Sequence, residues 1–282
     1  MKLGKFELHL LSDGTFRLDG GSMFGVVPKV LWQRTDPADE KNRILMGLNS
    51  LLVRTGRENI LIETGIGNRL DTKQRDIFGV EQPKTLMDRL KALGVKPEDI
   101  DIVICSHLHF DHVGWNTIVE KGKFIPTFSK ATYVIQSAEW EAAMHPNIRT
   151  KMNYSEEHFL PLEEHGVLRL VEGEEEVTDG IRVFPAGGHT DGHQVVKIES
   201  DGKAALFLAD LVPMTSHIRI PYVMSYDLYP LQTIQAKDKI LKQALEEGWL
   251  LIFVHAPVVG MGYLREKVGK WVVETVERVQ YE

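Results

Sequence analysis

Apolar residues along this 282-residue chain come in short blocks separated by turn residues, never in long runs. The blocks at 3–11, 48–54 and 59–63 alternate or pack densely enough to predict strands, the last followed by the turn Gly65-Ile66-Gly67-Asn68. Between 85 and 93 the spacing of Leu86, Met87, Leu90 and Leu93 changes to a helical period, which stops at Gly94. The bulky run 100–105 then predicts a buried strand that continues directly into Ser106-His107-Leu108-His109-Phe110-Asp111-His112. In the second half, 131–136 reads as a strand and 137–144 as a short helix. From 145 to about 178 the chain is polar and weakly periodic, which predicts an excursion over the surface. Strands follow at 181–186, 194–199 and 203–209, a helix at 231–247 and a buried strand at 249–254. Residues 263–267 and 271–276, around Val268-Gly269-Lys270, predict a hairpin, because Gly and a β-branched run argue against a helix. With no linker, low-complexity stretch or repeat, a single domain over 1–282 is the expectation.

Composition narrows the classes. With 43% hydrophobic and 26% charged residues, the chain has the balance of a water-soluble globular protein with a sizeable core. A net charge of −7 weighs against a general nucleic-acid surface. No apolar run approaches the roughly 20 residues that span a bilayer. The start, MKLGKFELHLLSDG, lacks the apolar core and cleavage site of a signal peptide, so no membrane association and a cytoplasmic location are expected. The single cysteine, Cys105, excludes an internal disulfide framework and a Cys-rich zinc module. Eleven histidines are the one excess, and their placement carries the chemistry.

In extended chain, residues two apart face the same side, so His107, His109 and Asp111 can converge while His112 points elsewhere, as a second metal beside the first would require. Neutral imidazole and carboxylate are the usual zinc ligands where thiolates are absent. After the motif, Gly114 is expected to turn the backbone into a helix whose N-terminus lies near the site. Three later groups each stand just beyond the end of an apolar strand: His189 in Gly187-Gly188-His189-Thr190-Asp191-Gly192-His193, Asp210 in Leu208-Ala209-Asp210-Leu211, and His255. Such positions are where α/β architectures collect ligands.

This set, His107-x-His109-x-Asp111-His112 followed in order by His189, Asp210 and His255, resembles the metallo-β-lactamase-fold hydrolases. The segment Asp19-Gly-Gly-Ser-Met23-Phe24-Gly25-Val-Val-Pro28-Lys29-Val-Leu-Trp32 narrows the likeness to the YtnP-like group of probable quorum-quenching lactonases, neighbours of the N-acyl-homoserine-lactone and methyl-parathion hydrolases. The resemblance implies an α/β fold, an αββα sandwich with the site at one edge. It implies one divalent metal on His107, His109 and His189, a second on Asp111, His112 and His255, and Asp210 bridging both. Zinc is the expected metal, with manganese, cobalt or iron as alternatives. His at position 109, where the flavodiiron branch carries Glu, disfavours redox di-iron chemistry. Asp at 210 departs from the Cys-containing true β-lactamases.

Two departures stand out. Glu63 replaces the Asp that many members have, which is expected to change a hydrogen bond behind the ligands rather than abolish metal binding. Pro213 stands where some lactonases have a Tyr, so a protein group that polarises the substrate carbonyl must come from elsewhere, with His217 and Tyr222 as candidates. His193 fits a hydrogen-bond partner better than a ligand. Met23, Phe24 and Val27 are the candidate substrate-binding residues, and Tyr154, His158 and Phe159 candidates for a lid. Trp115 suits core or pocket wall equally.

Two metals about 3.5–4 Å apart can share a hydroxide that attacks a carbonyl carbon, with Asp111 as the catalytic proton shuttle to the leaving oxygen. The expected activity is therefore opening of lactone rings, N-acyl homoserine lactones foremost, in quorum quenching. An esterase, thioesterase or phosphotriesterase would use the same site. A mononuclear-iron sulfur dioxygenase, a nuclease and a non-catalytic binding protein fit less well. The expected partner is a small lactone or ester, with a homodimer possible at the apolar N-terminal loop.

Overall fold

A computed structural model describes residues 1–281. The first half builds a mixed sheet from β1 (Lys2–Leu3), β2 (Phe6–Asp19), β3 (Arg43–Arg54), β4 (Asn59–Ile62) and β5 (Ile102–Ile104). A small separate hairpin, β6 (Thr117–Glu120) and β7 (Lys123–Pro126), precedes β8 (Thr132–Gln136) and β9 (Leu168–Val171), which complete the first sheet. Its order follows the chain; β1 to β4 are antiparallel neighbours, and β4, β5, β8 and β9 are parallel. The second sheet runs β10 (Glu175–Thr178), β11 (Ile181–Pro185), β12 (Gln194–Ser200), β13 (Lys203–Phe207), β14 (Leu250–Ile252), β15 (Val259–Lys267) and β16 (Lys270–Arg278). All its pairings are antiparallel except β13 with β14.

Alternation along the strands dictates the layering. Leu51 and Val53 of β3, Ile60 and Ile62 of β4, and Leu250 and Ile252 of β14 meet in one buried cluster between the sheets. The intervening Leu52 and Leu61 turn to the outer face, where Leu86 and Leu90 of the helix Leu86–Ala92 and Trp140 of the helix Ser137–Met144 cover them. Leu251 likewise faces outward under Ile240, Leu241 and Ala244 of the long helix over Pro230–Glu247. Strands buried on both faces read as continuous apolar runs, and period-two alternation distributes those runs between two cores. The result is the expected αββα sandwich. Among the described residues no helix is long and apolar enough to cross a membrane.

The hairpin expected at the C-terminal end is present: β15 and β16 pair around Val268 and Gly269, whose φ values of 52° and 67° suit a two-residue turn that matches strand twist. Two expectations need correction. No helix follows Gly114. Its N–H donates to Gly65 O at 2.7 Å, a Cβ there would lie 2.0 Å from the Ile66 carbonyl carbon, and the β-branched Thr117-Ile118-Val119 goes on into β6. The stretch 145–178 is no mere surface excursion either. It contributes β9 and β10, and buries Phe159 and Leu162 against the outer core of the first sheet. Its elements are only three to five residues long, too short to establish a period.

Candidate metal centre

The site forms at the edge where β4, β5, β11, β13 and β14 all end. Past β5 the chain leaves Ile104 and places His107, His109, Asp111 and His112 in a tight loop; His189 follows β11, Asp210 follows β13 and His255 follows β14. Two backbones turn sharply there, with Glu63 and Ala209 held at φ of 65° and 45°. For residues with a Cβ this is a strained conformation, of the kind that clusters at functional sites.

Seven buried side chains converge, in overlapping groups suited to metal ions: His107, His109 and His189; His107, His112 and Asp210; Asp111, His112 and His255. Asp210 stands between them. Its Oδ2 lies 3.1 Å from His189 Nε2 and 3.9 Å from His107 Nε2. Its Oδ1 lies 3.2 Å from His255 Nε2 and 3.7 Å from His112 Nε2. Asp111 Oδ2 completes the second group, 3.6 Å from both His112 Nε2 and His255 Nε2. One carboxylate thus offers one oxygen to each half of the cluster.

The outward nitrogens decide which lone pairs face inward. His112 Nδ1–H donates to Glu63 Oε2 at 3.0 Å, His189 Nδ1–H to Asp227 Oδ1 at 3.0 Å, and His255 Nδ1–H to Gly47 O at 2.9 Å. His107 Nδ1 pairs with Ser106 Oγ at 2.9 Å. With those nitrogens engaged, the Nε2 lone pairs are left to converge, the arrangement that metal-ligating histidines almost always adopt. His109 is turned the other way, its Nδ1 lying 3.2 Å from His189 Nε2. Two inward atoms, His107 Nε2 and Asp210 Oδ1, are buried without any hydrogen-bond partner, a costly state that a bound cation relieves.

The electrostatics agree. Burial, reinforced by the neighbouring rings, holds His107 and His109 well below the usual imidazole range, so both are neutral donors of a lone pair. At His112 burial acts in the same sense, but Asp111, Asp210 and Glu63 outweigh it and push the imidazole up to about 10. Burial also raises Asp210, and the rings of His255, His112 and His189 more than reverse this, leaving it well below the carboxylate range. The cluster therefore demands positive charge, which divalent cations supply without a proton. The donor set, five imidazoles and two carboxylates with no thiolate, suits zinc and other borderline divalent ions.

The remaining sequence candidates divide. Glu63 makes the hydrogen bond expected behind the converging histidines, to His112, and also accepts from Ser106 N at 2.8 Å. His193 belongs to none of the three groups, and its Nε2 accepts from Asp210 N at 3.1 Å. Trp115 is core, its indole N–H donating to Asp13 Oδ1 at 2.9 Å. A cavity of about 490 Å³ opens over the cluster, with His109, Asp111, His189, Asp210 and His255 in its floor. Met23 lines it, as do Tyr154 and His158, while Phe159 is buried beneath. Phe24 and Val27 do not line it. Phe24 is fully buried, stacked between Trp32 (5.3 Å) and His217 (4.7 Å), and Val27 packs against the same cluster. His217 and Tyr222 are also absent from the cavity wall. His217 Nε2–H is spent on Met23 O at 2.8 Å, and the Tyr222 hydroxyl accepts from Arg219 Nη1 at 3.0 Å. Two phenols do line the cavity, Tyr154, whose hydroxyl donates to Glu139 Oε1 at 3.1 Å, and Tyr226. Asp227 and Ser106 were missed by sequence reasoning, because nothing in their local pattern marks them as facing a histidine.

The family described as Metallo-beta-lactamase superfamily matches residues 45–255, a span that includes all seven converging side chains. An N-acyl homoserine lactonase from Bacillus sp is 33% identical over 56% of this chain and 57% of its own length. The chain is thus matched to little more than half of that relative. Among solved structures, a probable metal-dependent hydrolase from Staphylococcus aureus superposes with a TM-score of 0.89 at 32% identity, over 98% of this chain and all of the other. A dizinc quorum-quenching lactonase in complex with its product shares the fold with a TM-score of 0.77 at 23% identity, over 98% and 97% of the two chains.

Proposed function

The chain belongs to the metallo-beta-lactamase superfamily, and from that premise we propose that it is a metal-dependent hydrolase that opens lactone rings, N-acyl homoserine lactones foremost. The observation that carries this reading is Asp210 extending one oxygen to each of two groups of buried, inward-facing donors, beneath an open cavity. His107, His109 and His189 would hold one cation, Asp111, His112 and His255 the other, and Asp210 both. Two divalent cations, zinc on this reading, supply Lewis acidity toward the carbonyl oxygen and lower the pKa of water toward neutrality.

The chain's own residues do the rest. Asp111 stands at the cavity floor with Oδ2 turned to His112 and His255. Its Oδ1 takes the proton released as water adds to the carbonyl carbon, and returns it to the ring oxygen as the carbon–oxygen bond breaks. Leu18, Met46, Ile66, Phe110 and Met224 give the cavity apolar walls, which suit an acyl chain and exclude water from it. Tyr226, with its phenol on that wall, is the protein donor nearest in kind to what a substrate carbonyl needs.

The test is proton release by zinc-loaded protein given a decanoyl homoserine lactone, beside a chelator-stripped control. Metal-dependent ring opening is the expected result. Turnover of aryl esters or phosphotriesters without lactone opening would overturn the substrate class and leave the hydrolytic centre standing.

A further inference from the structure

Glu139 belongs to none of the ligand groups, yet its carboxylate is fully buried and all its partners lie on the site. It stands in the first turn of the helix Ser137–Met144, and its Oε1 accepts from Leu108 N at 3.0 Å and from the Tyr154 hydroxyl at 3.1 Å. Its Oε2 accepts a short hydrogen bond from Thr190 Oγ1. Leu108 lies between His107 and His109, and Thr190 follows His189. The three imidazoles of one half of the cluster are therefore the three that flank the residues this carboxylate binds. In the other half His112 leans on Glu63, which also takes Ser106 N beside His107, and His255 leans on Gly47 O, so the supports of that half are not gathered on one carboxylate.

The same residue explains two further letters of the 187–193 loop. Thr190 supplies the hydroxyl. Gly192 is required by close approach, because a Cβ there would lie 2.1 Å from Glu139 N. The third arm, Tyr154, reaches the cavity wall, where its ring packs 5.3 Å from that of His109.

We propose that Glu139 is a positioning residue that sets the spacing of His107 and His109 against His189, and so selectively tunes the cation site those three form, while its bond to Tyr154 couples that site to the cavity wall. This rests on the reading of the cluster as a two-cation centre. A hydrogen-bonding role, as opposed to a charge role, makes Gln a working substitute. Its amide oxygen accepts from Leu108 N and Tyr154, and its NH₂ donates to Thr190 Oγ1, which reverses from donor to acceptor.

The experiment is cobalt titration of the metal-free protein, followed by the visible absorption of the bound ion, which reports affinity and ligand geometry without turnover. The wild type should bind two equivalents. E139A should lose about 10- to 100-fold in affinity at one site only, with an altered spectrum for that ion, and E139Q should restore both. T190V should reproduce part of the E139A loss, and gives the same readout should E139A fail to fold. Y154F, which breaks the bond to Glu139, should weaken that same site less than E139A does and change KM for lactones more than kcat; no change in either would overturn the coupling. Equal weakening at both sites, unchanged affinities in E139A and T190V, or an E139Q indistinguishable from E139A would each overturn the assignment. A wild type that binds fewer than two equivalents would overturn the two-cation centre itself.

Discussion

His189 and Asp227, 38 positions apart in sequence, are joined by a 3.0 Å hydrogen bond from the imidazole Nδ1–H to a buried carboxylate oxygen. The second oxygen of Asp227 accepts from Met224 N at 3.2 Å. One carboxylate therefore fixes the ring of a proposed ligand and the backbone of the segment that brings Met224 and Tyr226 to the cavity wall.

D227A removes both bonds at once. The ring of His189 becomes free to turn, so affinity for the cation it shares with His107 and His109 should fall by about 10- to 100-fold. D227N, which keeps an acceptor for the imidazole, should lose much less. Competition against a chromophoric chelator measures both. An unchanged affinity in D227A would remove this residue from the support of the site.

The division of Asp210 between the two halves of the cluster predicts an asymmetry of stoichiometry. H255A takes a donor from one group only and should leave a protein holding about one cation in place of two. D210A takes an oxygen from both and should lower the affinity of both, abolishing hydrolysis. Metal analysis after dialysis separates the two. Stripping the metal from the unaltered protein should also lower its melting temperature, since it again leaves His107 Nε2 and Asp210 Oδ1 buried without partners.

Much of this candidate centre was legible in the sequence because its proposed ligands sit at strand ends. A histidine or aspartate just past an apolar run is visible as a break in pattern, and His107, His109, Asp111, His112, His189, Asp210 and His255 all carry that mark. What supports them does not. Gly47 contributes a carbonyl oxygen that any residue would offer. Asp227 and Glu139 act across loops and a helix whose packing is set by the whole fold. The N-terminal segment misled for a related reason. Met23 and Phe24 are adjacent apolar residues in a glycine-rich stretch, and only the short helix α1 (Gly20–Phe24), capped by Asp19 through a 2.9 Å bond from Ser22 N, decides which of them meets the cavity.

His217 gives a prediction for acid. Burial holds its imidazole down to about 3, with Nε2–H committed to Met23 O. The unfolded chain, with an ordinary value near 6.5, binds a proton that the folded state refuses, so stability contributed here is lost as pH falls below about 6.5 and levels off near 3. The slope is at most about 1.4 kcal/mol per pH unit. In H217Q, where the amide NH₂ donates to the same carbonyl, this loss is absent. Melting curves from pH 7.5 down to pH 4.5 should therefore show the wild type losing ground relative to the variant as pH falls. A constant difference between the two would refute the buried neutral state.

Phe24 and Met23 should part company under substitution. Phe24 is sealed between the rings of Trp32 and His217, with Tyr222 edge-on at 5.9 Å, and none of its surface reaches the cavity wall. F24A leaves a hole in a packed aromatic stack and should cost about 3–5 kcal/mol of stability. Any effect on KM should then be similar for short and long acyl chains, because the Phe24 ring does not touch the substrate. M23A leaves that stack in place and widens the cavity, so KM should change with chain length while the melting temperature falls less than in F24A. Denaturant unfolding, together with steady-state kinetics on a chain-length series, reads both. A stable F24A whose KM rises only for long chains would reverse the assignment and make Phe24, not Met23, the residue that touches the substrate.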